Sequence, residues 1–216
     1  MPRIRPIFQN GRYSAALQYP TPHQEPRPER REGGWCYAAL APRLPWLVVL
    51  HYISLPAGEF GGDAVDALFA GELVETKDER LKALRGLRVS AHFFVRRNGQ
   101  VHQYVDPAMR AWHAGVSSFE GYENCNDFSV GIELEGTGER AFARAQYRAL
   151  SQLLAALAKT YPIEAITGHE FIAPSRKQDP GPFFDWSLVR AWARRLGDIR
   201  VVTTPQHLAR AAAHES

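Results

Sequence analysis

Five residues of this 216-residue chain have types and placements suited to hydrolytic chemistry: His51, Glu133, His169, Lys177 and Asp179. The stretch "GHEFIAPSRKQDPGP", residues 168–182, sets His169, Lys177 and Asp179 among three prolines and two glycines. It is too interrupted for a helix or an inner strand, so it reads as a stiff loop. His51 closes the apolar run of "PWLVVLHYISL". Both histidines therefore end a strand-like segment and open a loop, and ligands in α/β proteins gather beyond the carboxyl ends of strands. Two neutral imidazoles and a carboxylate, with one position left open, make the donor set of a catalytic zinc site. Asp179 is the natural third ligand, because prolines around it keep it from swinging. An Asp before Pro-Gly is also an ordinary turn residue. Widely spaced ligands are a weaker motif than H-E-x-x-H, so spacing alone leaves a metal set and a polar turn both open.

Glu133 lies in "DFSVGIELEG", where Val130, Ile132 and Leu134 alternate with Gly131, Glu133 and Glu135. Alternation turns Glu133 away from the apolar face. If this strand runs beside the one that ends at His51, Glu133 faces the candidate metal and can take a proton from water and pass it on. Glu135 reads as solvent-facing. Lys177 offers positive charge where an oxyanion develops, or is an ordinary loop lysine. The other histidines call for no chemistry. His23 sits in a Pro-rich arm, His207 and His214 near the C-terminus, and His92 and His102 on two arms of a hairpin.

The elements that must hold these groups are legible in part. Trp46 to Leu50 is a continuous apolar run, as in a strand buried on both faces. "DAVDALFAGEL" has helical spacing, and the charged residues 76–88 suggest a short helix and loop. "SAHFFVRRNGQVHQYV" reads as a hairpin turning at Asn98-Gly99, the preferred type I′ pair. "AFARAQYRALSQLLAALAKTYP" gives the longest helix, with Phe142, Tyr147, Leu150, Leu153, Leu154 and Leu157 as its buried stripe and Pro162 as its stop. "IEAITGH" is a strand delivering His169, and "DWSLVRAWARRLG" a helix closed by Gly197. Thr204-Pro205 opens a last short helix. Strands interleaved with helices predict one mixed α/β domain. Its expected bounds are an irregular N-terminal arm at 1–44, the domain at 45–200 and a short helix or tail at 201–216.

Bulk properties narrow the function. Hydrophobic residues make up 45% of the chain, enough for one sizeable core. The two cysteines, Cys36 and Cys125, form no C-x-x-C pair and no disulfide framework, which favours a reducing compartment. No segment approaches ~20 uninterrupted apolar residues, and the N-terminus has no signal-peptide apolar run, so no membrane span and a cytoplasmic location are expected. The net charge of +3 comes mostly from dispersed arginines. Nucleic-acid binders concentrate such charge with aromatics on one face, so nucleic acid is excluded as a partner and an anionic small substrate is compatible.

Taken together, "HYISLPAGEFGG", "RVSAHFFVRRNGQVHQYV", "RAWHAGVSSFEG", "CNDFSVGIELEGT" and "TGHEFIAPSRKQDPGPFFDW" resemble the AmpD family. These are 1,6-anhydro-N-acetylmuramyl-L-alanine amidases of cytoplasmic cell-wall recycling, within the zinc amidase and peptidoglycan-recognition superfamily. The resemblance covers about residues 46–187, and "YPTPHQEPRPE" is similar to the arm that precedes the domain there. It implies a central mixed β-sheet flanked by helices, with a zinc groove on one side. It implies Zn²⁺ held by His51, His169 and Asp179, Glu133 as general base and Lys177 as oxyanion stabiliser. Arg88, Trp112, His113 and Tyr52 match segments that line the substrate cleft. The partner implied is a small muropeptide, with no obligate protein partner. Departures fall at Tyr52, where Asn is expected, at Asp63 in place of a tyrosine, and at Asn124 in place of an arginine. They bear on substrate contacts rather than on the metal. The competing readings are an amidase acting on intact peptidoglycan and a muropeptide-binding module without catalysis. The complete set of five residues weighs against the second.

Overall fold

In the computed structural model, residues 7–19, 21–27, 44–73 and 78–206 are described. Seven strands form the central sheet: β1 (Ala16–Gln18), β2 (Leu47–Ile53), β3 (Phe93–Val95), β4 (Val101–Gln103), β5 (Ser129–Glu135), β6 (Ala165–Gly168) and β7 (Arg200–Val202). Their spatial order is β7-β6-β2-β5-β3-β4-β1. β2, β5 and β6 lie side by side and parallel, and β3 and β4 pair antiparallel, so the sheet is mixed as expected. In β2, Leu47 to Leu50 are fully buried, as a strand covered on both faces requires.

The two faces carry different cargo. Val48, Leu50, Val130, Ile132, Leu134 and Ile166 join one large cluster with α2 (Arg144–Thr160) and α4 (Trp186–Leu196). Leu150, Leu153, Leu154 and Leu157 of α2 are buried there, and each buried Leu contributes about 1.5–3 kcal/mol. Phe142 is buried ahead of α2, in extended chain, so only the later part of the expected stripe is helical. Gln146 ties the start of α2 to the sheet, donating to the carbonyls of Val95 and Glu135. Leu47 and Val49 face the other way, with Ala114, Phe119, Cys125 and Ile172. α1 (Ala64–Ala70) packs on Phe94 and Tyr104 on that second face. His51 and Glu133 project from this side by strand alternation.

Several expectations change. The N-terminal arm is ordered structure over 7–19 and 21–27. Phe8–Gln9 and Arg12–Tyr13 form a tight hairpin, β1 extends the sheet edge, and Glu25–Pro26 pairs with Met109–Arg110. Tyr13 is buried against Phe8 and Phe93. Arg27 is buried and donates to the carbonyls of Pro107, Asn126, Asp127 and Ser129. A Pro- and Arg-rich composition hid these anchors. Residues 200–202 are also a strand rather than the start of a tail, because they pair with β6. The hairpin at Asn98-Gly99 forms, but not through a type I′ turn. Only Gly99 has a positive φ (89°) there, Gly99 N–H donates to Arg96 C=O, and Arg96 pairs with Gln100 across a three-residue loop. The Asn-Gly pair with both residues at positive φ is Asn10-Gly11, at 48° and 72°. Residues 79–84 form a 3₁₀ turn. The helix expected after Thr204-Pro205, and Cys36, lie outside the described residues. Among the described residues, no helix is long and apolar enough to cross a membrane.

Candidate active site

Three ligand atoms converge where β2, β6 and the Pro-rich loop meet. His51 Nδ1 lies 3.0 Å from His169 Nδ1 and 2.9 Å from Asp179 Oδ2, and His169 Nδ1 lies 3.1 Å from the same oxygen. All three residues are buried. β2 ends by presenting His51. β6 ends at Gly168 and the short helix α3 (His169–Ile172) begins with His169. A Cβ on Gly168 would come within 2.7 Å of Pro180, so glycine is what lets the 180–182 loop close on the strand end. That loop is pinned to α3: Glu170 N–H donates to Asp179 C=O, and Arg176 and Lys177 N–H both donate to Ala173 C=O.

Glu133 pairs in register with His51 on the adjacent parallel strand. It is buried, and its Oε2 has no hydrogen-bond partner among the described residues. An orphaned buried carboxylate oxygen is costly unless function keeps it. Burial raises the Glu133 carboxyl well above the usual range, the negative charge of Asp179 adds to this, and Lys177 opposes it. Lys177 is half-buried and acts on both Glu133 and His51 through its charge. His51 is pushed down to about 4 by burial, then by His169, so it is neutral near pH 7.

The donor set fits a metal. The outer nitrogen of His169, Nε2, lies 2.9 Å from Ala114 C=O, a group that can only accept. In the neutral ring that bond leaves the inner Nδ1 as a bare lone pair, facing a carboxylate oxygen. Such facing acceptors repel unless a cation sits among them. A compact N, N, O set of this kind suits Zn²⁺.

The four residues of the expected cleft are placed differently. Arg88 is exposed, and its charge is felt by His23. Trp112 is half-buried, with the Arg110 guanidinium 3.8 Å from its ring centroid. Tyr52 lies beside Gly138 and senses the Asp179 charge after its own burial. His113 has both ring nitrogens engaged, one with His51 at 3.0 Å and one with Ser129 Oγ at 3.3 Å. Asn124 takes a left-handed φ of 57°, which Asn tolerates better than most residues. Glu135 is corrected: it is buried, and it accepts from the backbone amides of Gly61 and Arg97. Sequence reasoning missed Asn126, Ser129 and Arg176, which line the site from behind. Gly131 was the available signal, since a glycine inside a β-rich strand marks a close approach.

Comparison with known proteins gives the family. The N-acetylmuramoyl-L-alanine amidase family matches residues 41–182. The chain belongs to that family. A 1,6-anhydro-N-acetylmuramyl-L-alanine amidase AmpD from Citrobacter freundii is 46% identical over 187 residues, 86% of this chain and 94% of that protein. The Haemophilus influenzae AmpD is 43% identical over 86% of this chain and 96% of its own. A crystal structure of an AmpD superposes with a TM-score of 0.78 at 46% identity, covering 86% of this chain and 98% of that one. The E. coli amidase AmiD, solved with anhydro-N-acetylmuramic acid-L-Ala-D-γ-Glu-L-Lys, has a TM-score of 0.52 at 26% identity over 88% of this chain and 66% of that one. This amidase fold is the mixed sheet with flanking helices that the sequence predicted.

Proposed function

We propose that this amidase is zinc-dependent and hydrolyses the amide between the lactyl group of 1,6-anhydro-N-acetylmuramic acid and the L-alanine of a stem peptide, in cytoplasmic peptidoglycan recycling. The observation that carries the reading is the convergence of His51 Nδ1, His169 Nδ1 and Asp179 Oδ2 beside the unpartnered Glu133 carboxylate. Identity of 46% to AmpD enzymes supports the substrate class. His51, His169 and Asp179 would hold the zinc. When bound, zinc supplies Lewis acidity, polarising the scissile carbonyl and making water easier to deprotonate.

The chain's own groups do the rest. Glu133 accepts a proton from the attacking water, and burial, which raises its carboxyl above the usual range, makes it a stronger base. The water oxygen bonds to the carbonyl carbon, and Lys177 stabilises the negative charge that builds on the carbonyl oxygen. Glu133 then returns its proton to the departing nitrogen as the C–N bond breaks. The products are a lactyl carboxylate and a free α-amine on L-alanine. Burial of Glu133 and Asp179 keeps bulk water from competing for these protons.

Mass spectrometry of purified anhydro-muramyl peptide and its non-anhydro counterpart, each incubated with the protein, tests the substrate. Release of stem peptide from the anhydro compound in preference to the other is expected. Equal cleavage of both would move the assignment to an amidase of intact wall.

A further inference from the structure

We propose that the 113–114 segment is an outer clamp that fixes the ring tautomers of both candidate metal histidines, with His113 as a positioning residue rather than a substrate contact. This rests on the metal reading of His51, His169 and Asp179. The argument follows hydrogen-bond polarity inward from one backbone carbonyl. Ser129 Oγ donates its single hydrogen to Cys125 C=O at 2.5 Å. Toward His113 Nε2, 3.3 Å away, Ser129 Oγ can therefore only accept. His113 Nε2 then carries the ring proton and His113 Nδ1 is a bare acceptor. His51 Nε2, 3.0 Å from that acceptor, must in turn carry its proton. The lone pair of His51 is left on Nδ1, the atom that faces His169 and Asp179. The neighbouring residue serves the other histidine: Ala114 C=O takes the proton of His169 Nε2 at 2.9 Å. Two adjacent residues thus turn both Nδ1 lone pairs to one point. Outer partners of this kind set tautomer and ligand orientation in metal sites.

The clamp itself is built in. Asn126 is buried, and its Oδ1 accepts from the backbone N–H of His113 at 3.0 Å and of Ala114 at 2.8 Å. Arg176 also donates to Ala114 C=O, at 2.6 Å. Gly131 gives the ring its seat, because a Cβ there would lie 2.4 Å from His113.

The test uses the full chain, metal-stripped, with His113→Leu, His113→Asn and Ser129→Ala. Zinc affinity is read by competition with a chromophoric chelator, and imidazole tautomers by long-range ¹H–¹⁵N spectra without metal. Leucine at 113 should weaken zinc binding roughly 10–100-fold. Asparagine places an amide oxygen where Nδ1 was and should return most of that loss, which a purely space-filling role would not explain. The parent spectra should show His51 and His169 each protonated on Nε2, and His51 should become a tautomer mixture in His113→Leu. A parent with Nδ1-protonated His51, or a His113→Leu protein that binds zinc like the parent, overturns the clamp. A parent that binds no zinc but shows the expected tautomers overturns the metal reading and leaves the clamp standing. If His113→Leu does not fold, Ser129→Ala and the parent spectra still decide it.

Discussion

Two buried carboxylate–histidine clusters lie on the same side of this sheet, and their hydrogen bonds are opposite in kind. Around Asp66, the hydrogen-bond partners among the described residues approach as donors. His102 Nδ1 approaches Oδ1 at 2.6 Å, the Tyr104 hydroxyl donates to the same oxygen, and Arg96 donates to Oδ2. Tyr19 from the N-terminal arm stacks on His102, with 4.7 Å between centroids. That cluster joins α1 to the β3–β4 hairpin and to the arm, and donors already occupy both oxygens of its carboxylate. Around Asp179, the facing atoms are acceptors, and Glu133 beside them keeps an oxygen unpartnered. Composition alone does not separate the two, since each has a buried Asp and a His within reach. What separates a staple from a candidate metal centre is whether the atoms facing the carboxylate donate to it or accept.

Substitutions can break this comparison on either side, and the largest effect falls at Asp179. Asp179→Ala should lose bound zinc and turnover together while the chain still folds, read by metal analysis and circular dichroism of the same sample. Glu133→Gln comes next. It should keep zinc and lose about 10²–10⁴ in turnover, the usual worth of a positioned base. Retention of full turnover would remove Glu133 from the mechanism.

The signs of the pH effects also differ. The Glu133 carboxyl is raised in the fold, so its contribution to stability is present at low pH and is lost as pH rises through the raised value. In metal-free protein, Glu133→Gln should therefore melt higher than the parent at neutral pH, with the gap closing toward pH ~4. Asp66 runs the other way. Burial opposes its ionisation, but hydrogen bonds from His102, Tyr104 and Arg96 lower it overall, so its stabilisation is present at neutral pH and fades in acid.

Asp66→Ala should cost about 3–5 kcal/mol, because it removes the buried partner of Arg96 and leaves that charge only the exposed Asp63 carboxylate and Gly62 C=O. Chemical denaturation checks this, and zinc content should be unchanged in the folded fraction. Loss of zinc from folded Asp66→Ala protein would erase the distinction drawn between the clusters. Lys177→Ala has the smallest expected effect, about 10²–10³ in turnover, with zinc affinity and melting near those of the parent.

The sequence showed the site better than its supports. Strand alternation in "SVGIELE" put Glu133 on the correct face, and the apolar run before His51 marked a fully buried strand, because side-chain period and burial are local properties. Glu135 shares the face of Glu133, yet it is buried by Gly61 and Arg97, which come from loops that alternation cannot see. The two Asn-Gly pairs teach the same lesson. Asn98-Gly99 lies between long β-rich runs but turns by a three-residue loop, whereas Asn10-Gly11 adopts two positive φ angles inside an arm whose composition suggests irregular chain. The arm's order comes from Tyr13 and Arg27, which find partners about ninety residues away or more, such as Gln103 for Tyr13 and Asn126 for Arg27. The tautomer clamp was likewise invisible, since it is made from backbone carbonyls, a serine and an asparagine that no motif distinguishes.

The most direct test strips the protein with a chelator and restores zinc stepwise while following stem-peptide release from the anhydro-muramyl peptide. The account predicts no release from stripped protein and recovery that levels off at one zinc per chain. Turnover that persists in verified metal-free protein would contradict it, and the acceptor cluster at Asp179 would need another explanation.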